Sequence, residues 1–392
     1  MRIAVLDTCY PAFLRAHYER HPGLETAPYE QQLASLLEFS FGTSDAYAVH
    51  LRELGHPAEN LITNCLPLQL AWAREHAPGL GRLGAGVARV PGRAGVAVRQ
   101  ELFERIASRQ LDALRPDVVF VHDMWSMSPR RVRAWRSSGR FLVSQIASPA
   151  PPATTLRAYD LILSSFHHFV ERFRALGIAS EFFRLGFYSR VHDRLRAIGI
   201  DPSARSARDR DVVFVGGIDP NVHAQGTAFL EHVCERFEVD VWGYGASSLP
   251  ASSPILKRYH GEAWGLDMYE ILASARIVLN RHIDVAEGQA NNMRLYEATG
   301  SGALLITDDG RNLEDLFHPG KEVVSYGSVD ELEAHVRHYL AADDERCAIA
   351  EAGQRRTLEE HCYADRMEEL VELLEAALGD RSRSAISSSH AR

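Results

Sequence analysis

No apolar run in this chain approaches the roughly 18 residues that a bilayer-spanning helix needs, which argues against a transmembrane segment. The first residues, Met1-Arg2-Ile3-Ala4-Val5-Leu6-Asp7, hold an apolar stretch too short for the core of a secretory signal and read as a buried first strand. Cysteine is scarce. The five present (Cys9, Cys65, Cys234, Cys347, Cys362) are odd in number and widely scattered, with no Cys-x-x-Cys pair for zinc or redox work. A reducing cytoplasm is the compartment these features indicate. Positive charge is not in excess either: 43 Lys and Arg against 52 Asp and Glu leave a formal net charge of −9. A nucleic acid or other polyanion is thereby disfavoured as partner, while a local basic patch can still hold a small phosphate ligand.

What is present suits soluble α/β domains. At roughly 150 residues per domain, 392 residues with 46% apolar content give two to three domains with enough chain to bury a sizeable core. Short β-rich runs alternate with helical patterns, the signature of parallel sheets with crossover helices. The first half predicts strands at 3–6, 60–63, 118–121, 141–146, 161–163 and 181–183. A helix from about Asp45 carries Tyr47, Leu51 and Leu54 on one face and stops at Gly55; another over 166–176 stops at Gly177. Between Asp201 and Asp211 apolar periodicity vanishes, and the predicted boundary falls there, with a first domain over 1–204 and a second over 205–364. The second predicts strands at 212–215, 238–242, 277–279, 303–306 and 323–325. A last helix over 365–379 has Met367, Leu370, Val371, Leu374 and Leu378 at helical spacing and is expected to cross back to the first lobe. The Ser/Arg-rich residues 380–392 read as a disordered tail. The fold class is therefore α/β, with two Rossmann-like parallel-sheet lobes facing across a cleft, and ligands are expected at the carboxyl ends of the strands.

Residues 275–307 carry most of the functional information. Asn280-Arg281-His282 follow a strand, a helix opens near Asn291-Asn292-Met293-Arg294 and carries Glu297, and Ala303-Leu304-Leu305-Ile306-Thr307 form the next strand. Unpaired N–H groups and the dipole at a helix N-terminus favour negative charge, and guanidinium groups nearby reinforce it, so a diphosphate is the natural guest. Other reachable loops are Gly216-Gly217 in the second lobe and His122-Asp123 in the first. Plainer roles stand beside these: Arg294 also reads as a partner of Glu297 across one helical turn, and Asp308-Asp309 as a turn. The one Asp-x-Asp spacing, Asp209-Arg210-Asp211, lies in the predicted linker and is a poor metal site; no metal and no cofactor are expected.

The blocks Asn292-Met293-Arg294-Leu295-Tyr296-Glu297-Ala298, Gly302-Ala303-Leu304-Leu305-Ile306-Thr307-Asp308, Phe317-His318-Pro319-Gly320-Lys321-Glu322-Val323-Val324 and Ile349-Ala350-Glu351-Ala352-Gly353-Gln354 resemble, in order and approximate spacing, the glycosyltransferases of the GT-B fold, most closely the spore-maturation-protein (CgeB)-like branch. The resemblance covers most of residues 212–375 and is looser in the first half. It implies a transferase that moves a sugar from a nucleoside-diphosphate sugar, UDP-linked, to an acceptor hydroxyl or amine without a metal. Glu297 would hold the ribose hydroxyls, and the amides of Asn291, Asn292 and Met293 would face the diphosphate. Gly216 and Gly217 would admit the ligand to the backbone, and the segment around Gly261 would flank the base. Many relatives have a second glutamate eight positions before the ribose ligand; here that position is Gln289, and the donor sugar is left open. With His223 where relatives have a basic residue, Arg281 and Arg294 are expected to carry the phosphate charge. If the reaction inverts, His122 and Asp123 are the candidates for general base.

Three other classes remain open at this stage. A two-lobed periplasmic binding protein would need an export signal. A nucleotide-sugar epimerase shares the architecture, and the glutamine at 289 also admits a non-catalytic nucleotide-sugar-binding scaffold. The acceptor, whether glycan, small natural product or protein, is not encoded in any motif.

Overall fold

The computed structural model describes residues 1–87, 90–204 and 208–390, and the chain divides into two compact units. One is Met1–Arg184 together with the chain from Arg366 onward; the other is Leu185–Asp365.

The first unit is built on β1 (Ile3–Asp7), β2 (Ala58–Ile62), β3 (Val118–Val121), β4 (Phe141–Gln145), β5 (Leu161–Ser164) and β6 (Ser180–Phe182). They form one parallel sheet in the order β2-β1-β3-β4-β5-β6. Every residue of β3 is buried, as a strand covered by helices on both faces must be, and this explains its unbroken Val-Val-Phe-Val run. The helices Ala46–Glu53 and His167–Ala175 end where the glycines predict. Gly55 and Gly177 adopt φ of 84° and 70°, a left-handed conformation that costs glycine little.

The second unit holds β7 (Arg210–Val215), β8 (Asp240–Trp242), β9 (Ala275–Asn280), β10 (Leu304–Asp308) and β11 (Val324–Tyr326). Its sheet is also parallel, in the order β11-β10-β9-β7-β8. Val212, Val241, Ile277, Leu279, Leu304 and Ile306 face one shared core, and burial of each such side chain stabilises the unit by about 1.5–3 kcal/mol.

All eleven strands lie within a residue or two of their predicted positions, but two boundaries differ. The second unit begins before the polar segment at 201–211, because the helix Val191–Ala197 already packs within it: His192 Nε2 is 2.8 Å from the Gly300 carbonyl oxygen. Part of that polar segment, 205–207, lies outside the described residues. The expected disordered tail is instead helical to its last described residue, in a helix that spans Tyr363–His390. No glycine or proline interrupts 380–390, and Arg381 anchors it within the first unit by donating to the Arg140 carbonyl at 3.2 Å, its guanidinium over Phe141. Among the described residues no helix is long and apolar enough to cross a membrane.

Strand order locates the functional edges. In an open parallel sheet, ligands bind at the carboxyl ends where the order reverses, since the connecting helices there leave on opposite faces and open a crevice. The reversal lies between β1 and β3 in the first sheet and between β7 and β9 in the second. Thr8 and Asp123 flank the first point; Gly216, Gly217 and Arg281 flank the second.

Candidate functional site

Within the second unit, a relay of amides sets the start of the helix Met293–Gly300. Asn280, the last residue of β9, donates from Nδ2 to Thr307 Oγ1 at 3.0 Å and accepts at Oδ1 from Asn292 Nδ2 at 2.9 Å. Asn292 is the helix N-cap, and its Oδ1 accepts from the Leu295 amide at 3.2 Å, an arrangement worth about 1 kcal/mol. β9, β10 and the helix start are thereby locked together. The first-turn amides of Met293 and Arg294 lack helical acceptors. Preceding them, the 284–291 loop is clamped by Asn312, which pairs with both the amide and the carbonyl of Ala290.

Arg281 extends from the end of β9 to the start of the helix Ala224–Arg236. Its guanidinium lies 5.8 Å from the Phe229 ring centroid, and a Cβ at Gly226 would be 3.5 Å from Nη1. Among the described residues its ion pair is to Asp284 at 3.4 Å, long and half-exposed, so the cation is little neutralised. Gly216 and Gly217 close β7 beside it, next to His223, whose Nε2 is 3.1 Å from the Tyr244 hydroxyl.

Arg294 is turned elsewhere. Instead of joining the amides at the helix start, its Nη1 pairs with Glu297 Oε2 at 2.9 Å and both terminal nitrogens lie against Met268 Sδ. Spacing of three places the two side chains on one helical face, and a carboxylate only 6% exposed draws in the nearest cation. Burial raises the Glu297 carboxyl above its ordinary range; the Arg294 charge and a hydrogen bond from Tyr269 oppose that rise. Of the two arginines expected at a diphosphate, Arg281 is thus the one left available.

Several contacts of this edge were not read from the sequence. Tyr244 and Trp264 stack at 5.9 Å with planes 15° apart, near the Gly261 segment, whose carbonyl accepts from the Gly243 amide at 3.0 Å. His282 Nδ1 is 2.7 Å from Asp308 Oδ1, and both Asp308 oxygens accept from the His282 amide, so Asp308 pins the loop after β9 and is more than a turn residue. Aromatic residues in loops at strand ends were the available signal for the first pair. Nothing in the sequence marks the second. In the Asp209-Arg210-Asp211 segment, Arg210 opens β7 and Asp211 pairs with Arg276 at 2.7 Å.

Gly243 is where two strand-end loops touch backbone to backbone, since a Cβ there would sit 1.9 Å from the Gly216 carbonyl oxygen. Gly243→Ala is expected to separate the β7 and β8 loops and cost about 1–3 kcal/mol, read as a fall in the midpoint of urea unfolding; an unchanged midpoint would contradict the packing described.

In the first unit, the predicted base pair sits at the switch point. The His122 ring lies edge-on to Tyr47 at 4.4 Å and 4.9 Å from Phe120, and its Nε2 is buried without a partner. Burial lowers the imidazolium pKa, outweighing the raising effect of Asp7 and Asp123, so the ring is neutral near pH 7. Asp123 accepts from Thr8 Oγ1 at 3.1 Å and from the Trp125 amide at 2.9 Å. Asp7 accepts from the Thr8 amide at 2.7 Å and Thr43 Oγ1 at 3.2 Å. The site residues expected from sequence therefore fall at two edges, one per unit.

Residues 225–372 match the family model described as glycosyl transferase-like. Solved structures similar to the whole chain include sucrose-phosphate synthase from Thermosynechococcus elongatus (TM-score 0.57, 11% identity, 97% of this chain and 100% of that one). A glycosyltransferase from Rickettsia africae aligns with TM-score 0.56 at 9% identity over 96% of this chain and 98% of its own. Anabaena HepE, in complex with UDP and glucose, aligns with TM-score 0.53 at 14% identity over 96% and 100%. No curated protein matches the chain significantly. The two parallel sheets with their flanking helices are the GT-B fold, and the family match lies within the part of the chain that carries Arg281, Asn292 and Glu297.

Proposed function

We propose that this protein is a cytoplasmic glycosyltransferase that takes its sugar from a nucleoside diphosphate and passes it to an acceptor hydroxyl or amine. The observation that carries the reading is the coincidence of the glycosyl transferase-like match over 225–372 with a buried acid, a cation and a capped helix N-terminus at the carboxyl edge of the second sheet. In this reading Glu297 accepts the ribose hydroxyls, Tyr244 and Trp264 flank the base near Gly261, and Gly216 and Gly217 let the backbone approach the ligand. The bond between sugar and diphosphate breaks, a bond to the acceptor oxygen or nitrogen forms, and the acceptor proton leaves to a base. Arg281 and the amides at Asn291, Asn292 and Met293 stabilise the charge that develops on the diphosphate, without calling on a metal. Arg294 acts through Glu297, keeping that carboxyl ionised. Neutral His122, with Asp123 beside it, is the base if the reaction inverts. The complexes of Anabaena HepE with UDP and with UDP-glucose favour UDP as the carrier, and five cysteines that form no disulfide accord with a reducing compartment.

A thermal-shift panel of nucleoside diphosphates in EDTA tests the donor site, with UDP expected to raise the melting temperature. Incubation with radiolabelled UDP-sugars then separates the chemistries: a transferase retains the donor until an acceptor is supplied. Interconversion of the sugar with no acceptor present would instead establish an epimerase, and binding without turnover against a broad acceptor panel a scaffold.

A further inference from the structure

The carboxyl edge of the first sheet carries a distinctive set of exposed side chains. Among the described residues, two large aromatic side chains are left exposed, Tyr10 at 48% and Trp125 at 62%. Both stand in loops at the carboxyl ends of β1 and β3, the adjacent strands between which the sheet order reverses. The two loops are tied directly, since Thr8 Oγ1 donates to Asp123 Oδ2 while Asp123 Oδ1 receives the Trp125 amide. Tyr10 is braced edge-on by Phe41 at 5.5 Å. Isolated exposed aromatics are ordinary on a protein surface; two on neighbouring strand ends, at the switch point and around two carboxylates, are a patterned exception.

The polar groups between them are predominantly acceptors. Asp7 and Asp123 each accept from two internal donors and retain lone pairs, and His122 offers a buried Nε2 with no partner among the described residues. Cations are missing from this stretch of edge: residues 7–10, 40–46, 63–65 and 122–128 contain neither Lys nor Arg. An anionic acceptor would meet two carboxylates with nothing to offset them, at a cost in like-charge repulsion. A neutral sugar ring presents what this edge complements, with apolar C–H faces that cover aromatic surface and hydroxyl groups that donate to carboxylates.

We propose that the edge formed by Tyr10, Trp125, Asp7 and Asp123 binds an uncharged carbohydrate, so that the acceptor is a neutral glycan or glycoside whose sugar ring lies against Tyr10 and Trp125. The place of this site in the reaction rests on the transferase reading above; the binding itself does not. Saturation-transfer NMR on the full chain without nucleotide tests it, using methyl glucoside, methyl mannoside, methyl galactoside and maltotriose, with glucuronate and glucose 6-phosphate as charged counterparts. At least one neutral ligand is expected to bind saturably. Trp125→Ala and Tyr10→Ala, both on the surface and compatible with folding, should each weaken it about tenfold or more, and Asp123→Asn should weaken it while UDP still raises the melting temperature. Absence of binding by all four neutral ligands, stronger binding of the charged ones, or unchanged affinity in both aromatic variants overturns the proposal. Sugar binding with no response to any nucleoside diphosphate would instead leave this site standing and remove the donor reading.

Discussion

Glu297→Gln and Arg281→Ala are each expected to abolish most of the rise in melting temperature that UDP gives the parent protein. A ligand at 100 times its dissociation constant stabilises the folded state by about 2.7 kcal/mol. Hydrogen bonds to a charged group contribute roughly 1.5–3 kcal/mol each, so loss of two ribose contacts weakens binding about a hundredfold or more. At the same UDP concentration the stabilisation then drops to about 0.4 kcal/mol. For Arg281 the loss concerns the diphosphate, and UDP should suffer more than uridine; for Glu297 both should suffer alike. Each variant is compared with and without ligand, because Glu297 belongs to a buried ion pair and its loss shifts the unliganded midpoint as well. An undiminished UDP shift in both variants would move the donor site away from the β9 edge.

Arg294→Met should destabilise the protein by roughly 3 kcal/mol at neutral pH, and the loss should depend on pH in a definite direction. Removing one partner of a buried ion pair strands the other charge. Burial already holds the Glu297 carboxyl above its ordinary range even with Arg294 at 2.9 Å. Because its folded value exceeds its unfolded one, the folded state binds the proton more readily, and this group's contribution to stability falls as pH rises from the unfolded value through the folded one. Without Arg294 the folded value climbs further and the declining stretch extends upward. The variant should therefore approach parental stability in acid, where the carboxyl is neutral, and fall progressively behind towards neutrality. Urea midpoints from pH 4 to 8 measure it. Arg294→Met/Glu297→Gln, which has no carboxyl at this site to titrate, should show no deficit that grows towards neutrality. A pH-independent deficit in the single variant would mean that Arg294 acts through packing on Met268 rather than through charge.

The architecture was legible because parallel strands buried on both faces must be apolar throughout, and the loops between them need not be. Runs such as Val118 to Val121 and Ala303 to Ile306 stand out from any neighbouring helix pattern, and Gly55 and Gly177 stop their helices for a reason local to the backbone. Helix ends near polar segments were less legible. The start of the second unit depends on His192 finding the Gly300 carbonyl, and the final helix on Arg381 finding Arg140, contacts between residues remote in sequence.

The candidate site divides along the same line. The sequence alone determined that a helix opening near Asn291-Asn292 and carrying Glu297 comes after a strand with Asn280-Arg281 at its carboxyl end, because helix starts and strand ends are short-range matters. Tertiary structure decided which charge meets which. The sequence offers Arg294 both as a diphosphate cation and as a partner of Glu297 across one turn; burial of Glu297 draws that guanidinium onto the carboxylate, while Arg281 lies near the first turn of a different helix. Strand order, also invisible in the sequence, brought Thr8 to Asp123 and placed Tyr10 and Trp125 at the same switch point. Electrostatic pairing and sheet order are set by which surfaces the folded chain removes from water, and that is a property of the whole arrangement rather than of any segment.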